Sequence, residues 1–147
     1  MKFQYAFQQI VDLKENERSQ AEWHLSEAIG LFNREQKNLL HLHEKKKELQ
    51  ESILTSSVGS VPVSELQLLQ NYVAHLNVQI EKKNEDVRQA EQKVQLKQHH
   101  LNERMMDEKV WSKAKEKAYE KFRVTALKKE QEMLDEMATV RHKRMSY

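Results

Sequence analysis

Ser56, Ser57, Val58, Gly59, Ser60, Val61, Pro62, Val63 and Ser64 decide the fold of this chain. The stretch holds the only proline and one of the two glycines, and the sequence on either side reads as long helix. Gly59 supplies the positive φ that a reversal often uses, and Pro62 cannot continue a helix arriving from upstream. Ser64, followed three residues later by Gln67, fits a capping box that opens a second helix. The break therefore predicts an all-α fold, a long two-helix antiparallel coiled-coil hairpin in one body over 1–147. Helix 1 is expected over about 3–54, the loop over 56–63, and a longer helix 2 over about 64–145.

Composition agrees with a thin fold. Of the 147 residues, 33% are charged and only 38% hydrophobic, which is too few to fill a thick globular core but enough for a narrow seam. The mean hydropathy of −0.90 says the same, while abundant Glu, Lys, Leu and Gln argue for helix over disorder. Cysteine is absent, which excludes disulfides and thiolate metal sites. No stretch approaches the ~18 apolar residues of a membrane span, and residues 1–11 lack the apolar core of a signal peptide. The expected address is the cytoplasm. A net charge of +2 gives no global pull toward nucleic acid or an anionic membrane.

Outward from the turn, both arms carry positions spaced alternately three and four apart, the coiled-coil signature. In the first arm they run from Phe3, Phe7 and Ile10 through Leu25, Phe32, Leu39 and Leu42 to Ile53, with a stutter expected at Glu17, Ala21 and Leu25. In the second they run unbroken from Leu66 to Ala118, then shift to Phe122, Ala126, Met133, Met137 and Val140. Folding about Gly59 lets the seams meet: Leu42 with Leu76, Leu25 with Val94, Phe7 with Trp111. Two seam exceptions also meet, because Glu35 falls opposite Lys83 and makes a polar layer that fixes register. Leucines crowd the loop half, whereas the layers Glu17 with Leu101, Lys14 with Arg104 and Ile10 with Glu108 are poor. The loop half is expected to be the tighter zipper, with Leu13 and Met105 rotating in to help the middle.

At 1.5 Å per residue the arms come to roughly 80 Å and roughly 120 Å, so the second outruns the first. This pairing places Phe3 near Lys115 and leaves residues from about Glu116 unpaired, with an apolar stripe that includes Tyr119, Phe122, Leu127, Met133 and Met137. The overhang is also basic: residues 109–147 hold 11 Lys and Arg against 6 Asp and Glu. Together with Phe3, Phe7 and Trp111, it is the first candidate binding surface.

Residues arranged for catalysis are missing. A two-helix zipper offers no water-excluding cleft for acids, bases or nucleophiles, so the chain reads as a non-enzyme with no cofactor. His41 and His43 point to different faces, and His99 with Glu103 gives two ligands on a solvated helix, a weak metal site. Glu44 and Glu48 flank Lys45, Lys46 and Lys47, so that run is a solvated face rather than a nucleic-acid reader.

Three stretches resemble the FliJ family of flagellar type III export proteins. They are the opening Phe3, Phe7, Gln8, Leu13, Lys14 and Glu17; the run Gln70, Tyr72, Val73, Leu76 and Ile80 just past the loop; and Lys129, Glu130, Leu134, Asp135 and Glu136 near the C-terminus. Their order and spacing match over almost the whole chain, with Tyr72 standing where phenylalanine is usual. The resemblance implies a non-enzymatic stalk, similar to the central stalk of rotary ATPases, needed for flagellum assembly and motility. Its implied partners are the hexameric flagellar export ATPase, the cytoplasmic domain of the export gate, and export chaperones. Its implied place is cytoplasmic, peripheral to the inner face of the cell membrane at the flagellar base. On this reading Leu42, Tyr72 and Leu76 meet the gate at the loop end, while Phe3, Phe7, Trp111, Phe122 and Met133 meet the ATPase ring at the free ends. The alternative is a generic structural coiled-coil scaffold or a holdase-like chaperone, whose seams would zip into dimers or bundles.

Overall fold

Long runs of Glu, Lys, Gln and Leu with glycine at only two positions leave little to interrupt a helix. The computed structural model describes residues 2–59 and 61–145, the side chain of Ser57 excepted. It folds as an antiparallel hairpin of α1 (Gln8–Val58, 51 residues) and α2 (Val63–Met145, 83 residues). No strand occurs among the described residues.

The turn is shorter than expected. Helix α1 continues to Val58, and the Gly59 amide closes on the Ser56 carbonyl at 3.2 Å. No glycine has positive φ, so the expected left-handed residue at Gly59 is not what reverses the chain. Ser64 is not the cap either. The Pro62 carbonyl accepts from the amides of Glu65 at 3.1 Å and Leu66 at 3.3 Å, which puts Pro62 at the cap and Ser64 inside the first turn. Proline suits the start of a helix because the amide it lacks would have no intrahelical partner there. Ser60, part of the expected loop, lies outside the described residues.

The hairpin divides into two compact units. In the unit Ala21–Leu101, the seam of both arms turns inward as the spacing requires. Its deepest burial is at Ala21, Leu25, Ala28, Ala90 and Leu101, with Leu76 and Ile80 nearer the turn. Ala21, Leu25 and Leu101 form one cluster against which Val94 packs. Burial in the loop half is uneven, and Leu76 there is the most buried residue of all those described, at 1% exposure. Leu42, Leu49, Ile53, Leu66 and Leu69 beside the turn stay half-buried, whereas Leu76 and Ile80 are covered. Alanines in the middle let the backbones approach and are buried too.

The other unit comprises the residues up to Gln20 and those from Asn102 onward. Val11, not Ile10, is its buried residue in the first turn of α1. Through Val11, Lys14, Arg18 and Ala21 the three–four spacing runs on, so the expected stutter gives way to a wider seam with Glu17 and Arg18 both half-buried. Leu13 and Met105 do not rotate in; both are about half exposed.

The expected polar layer is present: Lys83 Nζ donates to Glu35 at 2.9 Å and lies 3.6 Å from Asp86. The hydrogen bond to Glu35, opposed by partial burial, raises the Lys83 pKa. A lysine whose folded pKa exceeds its unfolded one contributes stability that is complete below the unfolded value and is lost as pH rises through the folded one. Thermal midpoints should show this contribution intact at neutral pH and fading above the ordinary lysine value of about 10.5. Lys83→Met should flatten that alkaline fall; an unchanged fall in the variant would assign it to other groups.

Candidate partner-binding surfaces

Phe3, Tyr5 and Phe7 alternate with polar or small residues, a period of two that suits extended backbone and keeps all three rings on one side. Residues 2–5 accordingly lie outside the helix, which starts at Gln8 instead of about residue 3. Amides of Ile10 and Val11 close on the Phe7 carbonyl at 3.0 and 3.1 Å, so the aromatic strap feeds directly into α1. Its rings run along α2. Phe7 meets Trp111 at 6.0 Å between centroids, and Phe3 meets Tyr119 at 5.2 Å and Phe122 at 5.3 Å. Tyr5 links them, 6.5 Å from Phe3 and 5.8 Å from Phe7.

This arrangement corrects the expected reach of the first arm. Extended chain advances about 3.3 Å per residue, more than twice the helical rise. Phe3 therefore passes Lys115 and meets Tyr119 and Phe122; Phe122 is half-buried, against expectation, while Tyr119 stays 49% exposed. The uncovered stretch begins near Leu127. From there to Met145 every described residue is exposed, including Leu127, Met133, Leu134, Met137 and Val140.

Between the strap and Gln20 the seam is ionic. Lys14, Glu17, Arg104 and Asp107 alternate in sign: Arg104 reaches Glu17 at 3.1 Å and Asp107 at 3.7 Å, and Lys14 reaches the same two at 3.5 and 3.9 Å. Arg18 pairs with Glu108. Lys14 and Arg104 share a layer as expected, and the carboxylates of Glu17 and Asp107 lie between the two cations. Arg18 and Asp107 escaped the sequence reading since neither lay on the assumed seam.

In the unit Ala21–Leu101, the three residues assigned to the turn side have different surroundings. Tyr72 is 48% exposed and borders a shallow hollow with Lys45, Glu48, Leu49 and Ser52. Leu42 is half-buried and lines a groove with His41, Gln79 and Lys82. Leu76 is only 1% exposed, so it supports the seam and no partner touches it while the hairpin stays closed. Of the residues assigned to the free ends, Phe3, Trp111 and Phe122 are half-buried within the ring cluster, Phe7 is 51% exposed, and Met133 stands bare at 64%. Tyr5 was missed, although its place in the alternation with Phe3 and Phe7 marked it. Among the described residues no group of three or more His, Cys, Asp or Glu side chains is placed to hold a metal, and no helix is long and apolar enough to cross a membrane.

Comparison with known proteins agrees over nearly the full length. A family model described as "Flagellar FliJ protein" matches residues 2–146. The chain is 24% identical over 138 residues to the flagellar FliJ protein of Bacillus subtilis (strain 168), covering 94% of each. It is similar in fold to the solved structure of CT670, a YscO homologue from Chlamydia trachomatis, with a TM-score of 0.67. That match covers 97% of this chain and 96% of the other at 16% identity.

The strap makes a spectroscopic prediction. In a Trp23→Phe background only Trp111 emits, since the chain has two tryptophans. Replacing Phe3 and Phe7 by alanine removes ring contacts of about 0.5–1.5 kcal/mol each beyond area burial. Trp111 emission should shift to the red while helicity by circular dichroism changes by no more than a few residues' worth. An unshifted spectrum would mean that the strap does not cover Trp111 in solution.

Proposed function

Because the chain belongs to the FliJ family of flagellar export proteins, we propose that it is a non-catalytic stalk. It links the hexameric export ATPase to the export gate and export chaperones, and works on the cytoplasmic side of the membrane at the flagellar base. The observation that carries this reading is that α2 outlasts its cover. The aromatic strap extends protection to Phe122, yet the helix continues to Met145 with Met133, Met137 and Val140 bare. An ordered amphipathic helix with an open apolar stripe fits insertion into the central opening of a ring. His142, Lys143 and Arg144 in its last turn complement the helix dipole and give that end positive charge. The half-exposed Tyr72 ring in the unit Ala21–Leu101 offers a separate contact of the kind a gate domain would use, with its hydroxyl left wet.

Two variants test the two contacts separately. Deleting residues 127–147 takes away only exposed side chains among those described and leaves every ring contact of the strap. Stimulation of the export ATPase should be lost while the remaining hairpin keeps its helicity. Full stimulation by the truncated protein would place the ATPase contact elsewhere. Tyr72→Ala should cost the hairpin about 1–2 kcal/mol through lost ring burial. Gate binding and swimming should fail in this variant with helicity and ATPase stimulation preserved, and wild-type gate binding would remove Tyr72 from the surface.

A further inference from the structure

Beyond Ala126 the exposed tail of α2 keeps a seam of its own. Glu130, Met133, Met137, Val140 and Arg144 are spaced three, four, three and four apart, which puts them on one narrow face. All five are exposed, and neither Glu130 nor Arg144 belongs to an ion pair among the described residues. The order along this face is acid, methionine, methionine, valine, base. Laid antiparallel against a copy of itself, the face is self-complementary. Met137 meets Met137 of the second copy at the two-fold axis, Met133 meets Val140, and Glu130 meets Arg144 at both ends. No other register gives apolar contacts in the middle and opposite charges at both ends.

We infer that this tail pairs with the same tail of a second copy of the chain as a short antiparallel coiled coil centred on Met137. The second copy takes the position along α2 that α1 and the strap occupy further back. With Arg144 of the second copy opposite Glu130, the pairing stays clear of Phe122, where Phe3 already sits. The contact spans about four helical turns and buries on the order of 1,000 Å² or less, the size of weak, reversible interfaces. It would hold the apolar stripe out of water when no other partner covers it, and release it to one that does. Charge order distinguishes this occupant from an unrelated protein, because the seam carries its own complement.

Sedimentation equilibrium of the full chain tests the inference with no ATPase or gate present, so its outcome is independent of the stalk reading. The wild type should pass from monomer to dimer as concentration rises from about 1 to about 300 µM, the range that weak pairing implies. Glu130→Lys makes both charged ends of the seam positive, and Arg144→Glu makes both negative. Each variant alone should dimerise at least roughly tenfold more weakly, two repulsive contacts having replaced two attractive ones. Mixed in equal amounts, the two variants should recover the dimer, because each now complements the other. Both substitutions are on exposed positions and leave the hairpin seam untouched. A wild type that stays monomeric throughout, single variants that dimerise as the wild type does, or a mixture no tighter than its components would each overturn the inference.

Discussion

The whole structure depends on a seam only two helices wide. In such a seam a side chain is covered from one direction and grazed from two others, so most large residues keep a rim in water, with Leu76 and Ile80 the covered exceptions. Leu42, Leu49 and Ile53 show this on α1, while Ala21, Ala28 and Ala90 are small enough to be covered fully. Stability then comes from repetition along the contact and not from depth at any point. Over their shared length, each helix depends on the other to cover its apolar face.

The same shallow burial explains why charged layers are tolerated. Glu35 and Lys83 remain a fifth to a quarter exposed at their side chains, and Lys14, Glu17 and Arg104 between a fifth and about a third. A half-wet ion pair escapes most of the desolvation that makes a deep one costly, and it adds correspondingly little stability. Its contribution is to register. Shifting one arm by a single turn would leave Glu35 and Lys83 facing apolar residues, and would separate Glu17 from Arg104 and Asp107 from Lys14.

Much of this was legible in the sequence, because the three–four spacing is a direct record of which side chains face a partner helix. It located the break near Gly59, the run from Leu66 to Ala118, the Glu35–Lys83 layer, and the meeting of Phe7 with Trp111. It failed where a second periodicity intervened. Phe3 and Phe7 fit a helical seam by number, but Tyr5 between them lies outside the helix with Phe3, and that misreading moved the end of coverage from Phe122 back to Lys115. It also failed where two neighbours compete for one seam position, as Val11 does with Ile10, since spacing alone does not rank them. The turn misled for another reason. Gly59 and Ser64 have residue types suited to special roles, but Pro62 had already fixed the start of α2. The candidate binding residues were legible as exposed or apolar types, but not as the separation between a buried Leu76 and an open Tyr72 four residues away.

The strap works as a gear. Four residue steps of non-helical chain, from Phe3 to Phe7, run beside eight to eleven steps of helix, from Trp111 to Tyr119 and Phe122. Each residue inserted between strap and helix would move the boundary between sheathed and bare α2 by about two positions, and each residue deleted would draw it back as far. The length of naked tail is thus set by a few residues at the far end of the sequence. Lineages could lengthen or shorten it without altering one side chain of the tail itself.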